Sequence, residues 1–322
     1  MTAAPIVAIT GATGFLGGHL VQILADSGVQ LRVLARRPPD PATWAGLPVD
    51  VVQGGLEDAG ALARLTDGVD ALVHAAGLIK ARDRAAFLRT NRDGAGAVAT
   101  CLRRQAPAAP FILVSSLAAR EPQLSDYAAS KRAGEEEVRR VYADAPEQLT
   151  IVRPPMIYGP GDRETLAIFQ AAGRPLAPLV GTGRLAAIHV TDAAAALVAV
   201  TGAGLRGPTG GTYALADTNP AGYAMADMMR EAARAMGHTA PPRLWAIPGP
   251  LLLAAGTLSA RWGALRGTAP IFTDGKAREI LHPDWTVAPG ELLPARIHAS
   301  RIGLAEGFRE TVAWYRAAGW LT

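Results

Sequence analysis

The chain has 322 residues, of which 49% are hydrophobic and 19% charged, and its formal net charge is +4. This composition excludes intrinsic disorder, and the length allows one large or two modest domains. The single cysteine, Cys101, excludes an intrachain disulfide and a Cys-rich zinc site, so we expect no metal. The basic residues are spread along the chain with no run of five, which argues against a nucleic-acid partner.

The N-terminal segment lacks the basic start and long apolar stretch of a signal peptide, so we expect a cytoplasmic protein. The longest uncharged apolar stretch, 244–260, contains Pro248, Gly249, Pro250 and Gly256. A membrane-spanning helix needs about 20 apolar residues and tolerates such breaks poorly. We therefore expect this stretch to line the substrate or lie at a membrane interface without spanning the bilayer.

Short apolar runs alternate with helix-length segments through the first half of the chain. They are rich in Val, Ile and Leu and bounded by Gly, Asp or Pro, as parallel strands covered on both faces are. A first helix is predicted over 15–27, before Gly28. The alternation predicts an α/β fold with a doubly wound parallel sheet. The predicted strands are 6–10, 31–35, 51–53, 71–74, 111–114 and 150–153.

The composition changes after Arg153, where prolines and glycines become frequent and remain so to the end of the chain. Five of the six tryptophans lie beyond residue 244. We predict a nucleotide-binding domain formed by residues 1–155 and about 184–214. A less regular substrate-binding part is predicted from about 156–183 and 215–322.

A glycine-rich loop follows the first predicted strand directly. Its three glycines are spaced to allow a tight turn, a close backbone approach to a pyrophosphate and close packing of a helix on a strand. Free N–H groups at the start of the next helix then face the anion. The loop predicts a dinucleotide site made by Gly11, Thr13, Gly14, Phe15, Leu16 and Gly17.

The end of the second predicted strand distinguishes NAD from NADP. An acidic residue there binds the ribose 2′-hydroxyl, whereas an arginine accommodates a 2′-phosphate. Here Ala35 is followed by Arg36 and Arg37, and the nearest acid, Asp40, lies beyond two prolines. We therefore predict NADP(H), with Arg36 as the main contact and Arg37 as its helper. The alternative is a pair of solvated loop arginines.

Tyr127 and Lys131 form a Y-x-x-x-K pair, which a helix places on one face. Six tyrosines and three lysines predict only about 0.06 such pairs by chance. Ser116 follows a predicted buried strand, at the sheet edge where ligands bind. Reduction of a ketone needs a proton, which a tyrosine beside a cation can donate, while a serine stabilises the developing charge. We predict Ser116, Tyr127 and Lys131 as the catalytic residues.

These motifs resemble the extended short-chain dehydrogenases/reductases, the NAD(P)-dependent epimerase/dehydratase group. The resemblance covers roughly residues 5–215 and implies a Rossmann fold. It implies that Asn91 and Lys131 help to hold the network of contacts on the cofactor side, and that Lys131 contacts the nicotinamide ribose. It also implies that the segment 153–161 runs past the nicotinamide and that Pro154 contacts the cofactor there. Further matching segments are 73–77, 90–91, 153–161 and 188–192. The other cofactor contacts that it implies follow the third and fourth strands, at Leu56, Asp58, Ala75, Ala76 and Gly77.

The chain departs from this group at the third strand, where an acid often contacts the adenine. Position 55 is glycine here, so Asp58 is the remaining candidate for that contact. Two histidines in the matching segments, His74 and His189, are predicted to pack and to support hinges more than to catalyse.

The residues around Ser116 bear on the reaction. Dehydratases of this group resemble one another in carrying an Asp-Glu pair directly after the catalytic Ser or Thr, and this acid and base perform the elimination. Leu-Ala-Ala follows Ser116 here, which disfavours dehydration. Epimerases usually have a longer interval before the tyrosine, which weakens epimerisation without excluding it. The short interval resembles the branch related to the complex I accessory subunit, some of whose members lack the catalytic pair. Because Tyr127 and Lys131 are present, we expect an active enzyme.

The C-terminal part points to an apolar substrate. The segment after Leu244 resembles the Pro-then-apolar-helix segment of 3β-hydroxysteroid and sterol dehydrogenases, and Arg261, Trp262 and Arg266 follow it. An apolar face edged by tryptophan and arginine suits peripheral contact with a membrane surface. An ordinary core helix is the alternative.

We therefore expect an NADPH-dependent oxidoreductase that reduces a ketone on a small-molecule lipid. The resemblance fits reduction of the 3-keto group of an acylated long-chain base, 3-keto-ceramide to ceramide, in bacterial sphingolipid metabolism. A nucleotide-sugar epimerase or reductase is the alternative, for which Arg163, Arg174 and Arg184 could hold a diphosphate. The alternative of another class is a non-catalytic NADP-binding subunit of a respiratory complex. The oligomeric state is left open.

Overall fold

The computed structural model describes residues 4–40, 43–266, 268, 270 and 272–321. The chain folds into two compact units, and each unit is composed of three segments. The first unit contains Met1–Arg153, Ala194–Tyr213 and Leu293–Ala299, and the second contains Pro154–Ala193, Ala214–Leu292 and Ser300–Thr322.

The strands in chain order are β1 Ile6–Thr10, β2 Gln30–Ala35, β3 Val49–Gln53, β4 Ala71–His74, β5 Phe111–Val114, β6 Leu149–Arg153, β7 Met156–Tyr158, β8 Leu176–Leu179, β9 Arg184–Leu185, β10 Ala187–His189, β11 Gly211–Ala214, β12 Tyr223–Ala224, β13 Arg243–Ala246 and β14 Asp284–Trp285. The α-helices are α1 Phe15–Ala25, α2 Ala59–Thr66, α3 Arg84–Leu88, α4 Ala95–Gln105, α5 Asp126–Val141, α6 Leu166–Ala172, α7 Val190–Arg206, α8 Met225–Ala235, α9 Gly249–Arg266, α10 Asp274–Leu281 and α11 Leu304–Ala317. A π-helical segment, Arg89–Gly94, leads into α4, and short 3₁₀ turns cover Leu117–Arg120, Pro146–Gln148 and Pro289–Glu291.

A seven-stranded sheet with the order β11-β6-β5-β4-β1-β2-β3 forms the centre of the first unit. Strands β1 to β6 all pair in parallel. β1 lies between β2 and β4, so Val7 of β1 has Leu31 on one side and Ala71 on the other. The order 3-2-1-4-5-6 is that of the doubly wound Rossmann fold, which binds dinucleotides where the strand order reverses, between β1 and β4. The predicted fold class is confirmed.

The strand positions follow from the apolar runs of the sequence. Every residue of β4 and β5 is buried, as expected for parallel strands covered on both faces. β1, β4 and β5 have the predicted bounds, β2 and β6 begin one residue earlier, and β3 begins two residues earlier. The core on one side of the sheet is filled by side chains of α2 and α4, among them Leu62, Leu65, Val98 and Leu102.

The second unit contains three small sheets, β7 with β10, β8 with β13, and β9 with β12 and β14. Its core is aromatic: the ring of Phe308 lies 5.0 Å from that of Tyr158 and 4.9 Å from that of Phe169, measured between centroids. Phe169 also contacts Tyr315 at 5.5 Å. Edge-to-face contacts of this kind stabilise a core beyond the area that they bury.

The apolar stretch 244–260 forms β13 and most of α9. Within the described part of the chain, no helix combines the length and the apolar character that a bilayer crossing requires.

His74 is a buried polar residue at the carboxyl end of β4. Its Nδ1 lies 2.8 Å from the hydroxyl of Thr10 on β1, and its ring stacks on Phe111 with 6.0 Å between centroids. Burial, and then the charge of Lys131, lower the pKa of His74 from 6.5 to about 3. The ring is therefore neutral near pH 7, as a packing residue requires.

We expect His74 to make the fold sensitive to acid. Its pKa is about 3 in the folded chain and near 6.5 when unfolded, so the unfolded state binds more protons between these values. Stability contributed by the neutral ring is complete above pH 6.5 and falls by up to about 1.4 kcal/mol for each pH unit below it. Urea denaturation at about pH 7, 6 and 5 should show this slope reduced in His74→Asn.

The exposed His238 supplies the matched control for this measurement. His238→Asn makes the same chemical change at an exposed side chain, so a slope that falls in His74→Asn and not in His238→Asn assigns the effect to the buried ring. An unchanged slope in His74→Asn would show that His74 does not carry the effect.

Candidate active site

The glycine-rich loop joins β1 to α1 at the point where the strand order reverses. Gly11 has φ +77°, and a Cβ on it would lie 2.6 Å from the backbone of Ala75 and Ala76. A Cβ on Gly17 would collide with the carbonyl oxygen of Gly11. Gly14 precedes α1 without a side-chain cap. The N–H groups of the first turn are therefore available to an anion.

The loop after β4 lies against the glycine-rich loop. The backbone N–H of Ala75 donates to the carbonyl oxygen of Thr10 at 3.1 Å, and that of Ala76 to the Thr10 hydroxyl at 3.3 Å. Two segments predicted to bind the cofactor are thus brought together at the switch point. In the glycine-rich loop Thr13 is exposed, and Phe15 and Leu16 are half-buried in the first turn of α1.

Arg36 and Arg37 are exposed directly after β2. The N–H of Gly54 donates to the carbonyl oxygen of Ala35 at 3.0 Å, so the ends of β2 and β3 adjoin. Since the carboxyl ends of parallel strands share one sheet edge, the two arginines lie at the same edge as the glycine-rich loop. Their predicted contact with a 2′-phosphate remains a prediction.

The residues after β3 have local structural contacts. Leu56 packs against the π-helical segment, where a Cβ on Gly94 would lie 2.7 Å from its Cδ1. The Asp58 carboxylate caps α2 by accepting from the N–H of Ala61 at 2.9 Å. Asp58 is exposed, and its role at the adenine remains a prediction.

Tyr127 and Lys131 lie one turn apart on α5, which begins after Ser125. The Ser125 hydroxyl caps the helix by accepting from the N–H of Ala128 at 3.0 Å. The Tyr127 ring is half-buried, with its centroid 6.1 Å from that of Phe87. This cap places the tyrosine in the first turn of the helix.

Ser116 lies just beyond β5 and is half-buried. Its Oγ accepts a hydrogen bond from the N–H of Ala118 at 3.2 Å. A hydroxyl has one donor and two acceptor positions, so this contact leaves the Ser116 proton free to be donated to a ligand oxygen.

The Lys131 ammonium lies at the end of β5, where it donates to the carbonyl oxygen of Val114 at 2.8 Å. Burial lowers the pKa of Lys131 to about 8, against the opposing effect of the Glu135 charge. A Cβ on Gly77 would lie 3.5 Å from Lys131 Nζ and 3.1 Å from Asn91 Oδ1. The structure therefore brings Gly77, Asn91 and Lys131 together.

Asn91, within the π-helical segment, clamps the loop after β4 to α5. Its Nδ2 donates to the carbonyl oxygen of Leu78 at 3.0 Å and to Ser130 Oγ at 2.9 Å, and its Oδ1 accepts from the N–H of Leu78 at 2.8 Å. Ser130 in turn donates to the carbonyl oxygen of Tyr127 at 2.7 Å. Asn91 thus positions backbone on both sides of the site.

Pro154 is buried and follows β6 as the first residue of the second unit. Its predicted position beside a nicotinamide stays a prediction. Among the residues that the structure describes, no three His, Cys, Asp or Glu side chains form a group that could hold a metal ion.

Glu135 is a buried site residue that is not among those predicted from the sequence. Its Oε1 accepts from Ser115 Oγ at 2.6 Å and from Arg153 Nε at 2.8 Å. Its Oε2 accepts from Arg153 at 2.6 Å and from Arg139 at 3.2 Å. Burial acts to raise the pKa of Glu135, but hydrogen bonds from Arg153 and Ser115 and the charges of Arg153 and Arg139 lower it, so the carboxylate is ionised.

This carboxylate supports the predicted catalytic side chains indirectly. Ser115 is the neighbour of Ser116, Arg153 ends β6, and Lys131 precedes Glu135 by one helical turn. The spacing from Lys131 was a signal in the sequence, because residues four apart share a helix face. Its partner on β6 could not be read from that spacing.

Taken together, the uncapped helix start at a Rossmann switch point, the serine and lysine at the end of β5, and the tyrosine one turn from that lysine on α5 define a nicotinamide-dependent oxidoreductase. Residues 7–216 match the profile of the NAD dependent epimerase/dehydratase family. The chain belongs to this family, and it takes a nicotinamide cofactor.

Two relatives and a solved structure are similar to the chain. The ceramide reductase of Caulobacter vibrioides is 53% identical over 318 residues, 98% of this chain and 96% of that protein. The (4-alkanoyl-5-oxo-2,5-dihydrofuran-3-yl)methyl phosphate reductase of Streptomyces griseus is 32% identical over 63% of this chain and 65% of its own. The crystal structure of Thermus thermophilus UDP-glucose 4-epimerase with NAD has a TM-score of 0.71 at 19% identity, covers 97% of this chain and 99% of that one, and shows the fold alone.

We expect Glu135→Gln to destabilise the first unit strongly. The change removes the buried charge that faces the largely buried Arg153 guanidinium, whose side chain is 13% exposed, and breaking a buried ion pair from one side costs about 3 kcal/mol or more. The free energy of unfolding should fall by that amount in urea denaturation.

Glu136→Gln is the matched control for this substitution. Glu136 is the next residue of the same helix, and its side chain is 62% exposed while it pairs with Arg132 at 2.9 Å. A surface pair of this kind contributes less than about 0.5 kcal/mol. Equal losses in the two variants would mean that the buried network does not hold the strands to α5.

Proposed function

We propose that the chain is an NADPH-dependent reductase of a ketone on a lipid, and that it converts 3-keto-ceramide to ceramide. The observation that carries this proposal is the 53% identity to a ceramide reductase over nearly the full chain, in which Ser116 and Lys131 lie at the end of β5 and Tyr127 lies one turn from Lys131 on α5. We place the reaction in the cytoplasm, at the surface of the membrane that contains the lipid.

The residues fit a dinucleotide with a 2′-phosphate. Gly11 and Gly17 leave a backbone cradle that a Cβ would fill, and the start of α1 faces it. Arg36 and Arg37 would hold the 2′-phosphate, and Asn91 and Lys131 would line the ribose and nicotinamide end. The bound cofactor would supply the hydride.

The protein's own groups would manage the oxygen of the substrate. Ser116 would donate a hydrogen bond to the carbonyl oxygen, since its Oγ already accepts from Ala118. Tyr127 would deliver its phenolic proton to the same oxygen as an alkoxide forms, giving the alcohol and a tyrosinate. The positive charge of Lys131 would stabilise that tyrosinate until it recovers a proton from water. With a pKa of about 8, Lys131 is charged at neutral pH.

The surroundings of Ser116 favour reduction over elimination. Leu117, Ala118 and Ala119 are buried and carry no titratable group. A dehydratase needs an additional acid and base beside the reacting carbons. These positions supply neither.

The nucleotide-sugar alternative shares the fold, but two of its three candidate arginines have other contacts. Arg184 donates to the carbonyl oxygens of Ala221 and Gly222. The Arg163 guanidinium lies 4.7 Å from the centroid of the Trp320 ring. The alternative of a non-catalytic subunit does not explain why Ser116 and Lys131 are placed beside one strand end.

We expect Tyr127→Phe to lower kcat/KM for a dispersed 3-keto-ceramide by at least about 100-fold, because the proton donor is lost. NADPH oxidation followed by absorbance is the measurement, and the NADPH dissociation constant should stay near the wild-type value. Tyr213→Phe, the same chemical change at another half-buried tyrosine of the first unit, should remain active. Turnover of a nucleotide sugar without any lipid turnover would contradict the proposal.

We expect Arg36→Ala to raise the KM for NADPH by about tenfold or more and to leave that for NADH unchanged. A charge-assisted hydrogen bond to a phosphate is worth about 1.5–3 kcal/mol, and NADH lacks the 2′-phosphate. Steady-state kinetics with both cofactors measure the difference. Arg104→Ala, at an exposed arginine of α4, is the control. A wild-type preference for NADH would refute the assignment of NADP(H).

A further inference from the structure

Helix α9 presents large apolar side chains to solvent. Leu251 is 61% exposed, Leu258 68%, Trp262 56% and Leu265 83%. At about 100° of rotation per residue, these four side chains lie within about 60° of one another around the helix. A surface helix normally turns such residues inward, so their exposure calls for an explanation.

The inward side of α9 is made of small residues. Gly256 is buried, and a Cβ on it would lie 2.7 Å from the backbone of Thr273. A Cβ on Gly263 would lie 2.8 Å from Cδ of Pro270. These close approaches hold the glycine side of the helix against the segment that leads into α10. The exposed leucines are therefore turned away from the core by the packing of the opposite side.

Arginines border this apolar stripe near the end of the helix. Arg261 and Arg266 are exposed and fall on opposite sides of it, by the same helical rotation. The Arg266 guanidinium lies 4.5 Å from the centroid of the Trp262 ring. We call the surface formed by Leu251, Leu258, Trp262 and Leu265 with Arg261 and Arg266 the α9 face.

Acidic residues are absent from the sequence around the α9 face. No Asp or Glu occurs between residues 232 and 273, although four arginines do. Just before the helix, β13 carries an exposed arginine, Arg243, and an exposed tryptophan, Trp245, two residues apart on one side of the strand. The charge of this part of the chain therefore complements an anionic partner.

We propose that the α9 face docks on the surface of an anionic phospholipid bilayer. Leucines would enter the boundary of the acyl chains, the tryptophan would lie at the headgroup level, and the arginines would contact lipid phosphates. A second copy is a poorer occupant, because a two-fold contact brings identical patches together and opposes their arginines.

The docking proposal rests on the proposed function, because binding to a bilayer serves an enzyme whose substrate lies in that bilayer. A ketone carried on two long hydrocarbon chains stays in the bilayer, so a reductase must come to that surface. The docking itself is measured without substrate, which separates the two proposals.

The experiment is flotation of the purified full-length protein with vesicles. We expect binding to phosphatidylcholine vesicles that contain about one third phosphatidylglycerol, weak binding to phosphatidylcholine alone, and weaker binding at high salt. The double variant Leu258→Glu/Trp262→Glu should partition at least about tenfold less. Ala313→Glu/Ala317→Glu, at two exposed alanines of α11, makes the same charge change and should partition like the wild type.

NADPH oxidation distinguishes docking from catalysis. With the ketone dispersed in detergent, both double variants should match the wild type. With the ketone embedded in anionic vesicles, the α9 variant alone should lose at least about tenfold in rate. Absence of turnover in detergent with vesicle binding intact would overturn the proposed function and leave docking standing.

Three outcomes would overturn the docking proposal. The first is a wild-type protein that does not float with anionic vesicles, and the second is equal flotation of the α9 variant. The third is a wild-type dimer in sedimentation that the α9 variant dissociates while neither protein binds vesicles, which would assign the face to a second copy.

Discussion

The buried carboxylate of Glu135 is the contact on which the geometry of the site depends. A carboxylate removed from water is costly unless it is paired and fully hydrogen-bonded, and here Ser115 and Arg153 satisfy both oxygens. The same contacts tie α5 to the ends of β5 and β6. Because Ser116 follows Ser115 and Lys131 precedes Glu135 by one turn, the positions of these two proposed catalytic residues follow from this network.

The electrostatics around Lys131 are balanced by its neighbours. Burial lowers its pKa to about 8, and the Glu135 charge acts in the opposite direction. His74 remains neutral because it is buried, so it adds no second positive charge beside the ammonium. A charged His74 would lower the pKa of Lys131 further and remove the cation that the chemistry needs at neutral pH.

The second unit shows that hydrophobicity alone does not decide which way a helix faces. In α9 the glycines face the neighbouring segment and several leucines face solvent, because only a residue without a side chain permits the approach of Gly256 to Thr273. The arginines at the edge of this surface then give it an interfacial character. The proposed docking of this face on a lipid bilayer is consistent with an enzyme that reduces a lipid ketone.

The sequence by itself determined the strands β1 to β6, the glycine-rich loop and the pairing of Tyr127 with Lys131 on one helix face, because each is set by local spacing. It could not reveal the partner of Glu135, since Arg153 meets it only when β6 lies beside β5. Nor could it orient α9, which is apolar on more than one side and so has no periodicity that selects a buried face. Tertiary structure decided these features, since each depends on close contact between segments that the local pattern does not relate.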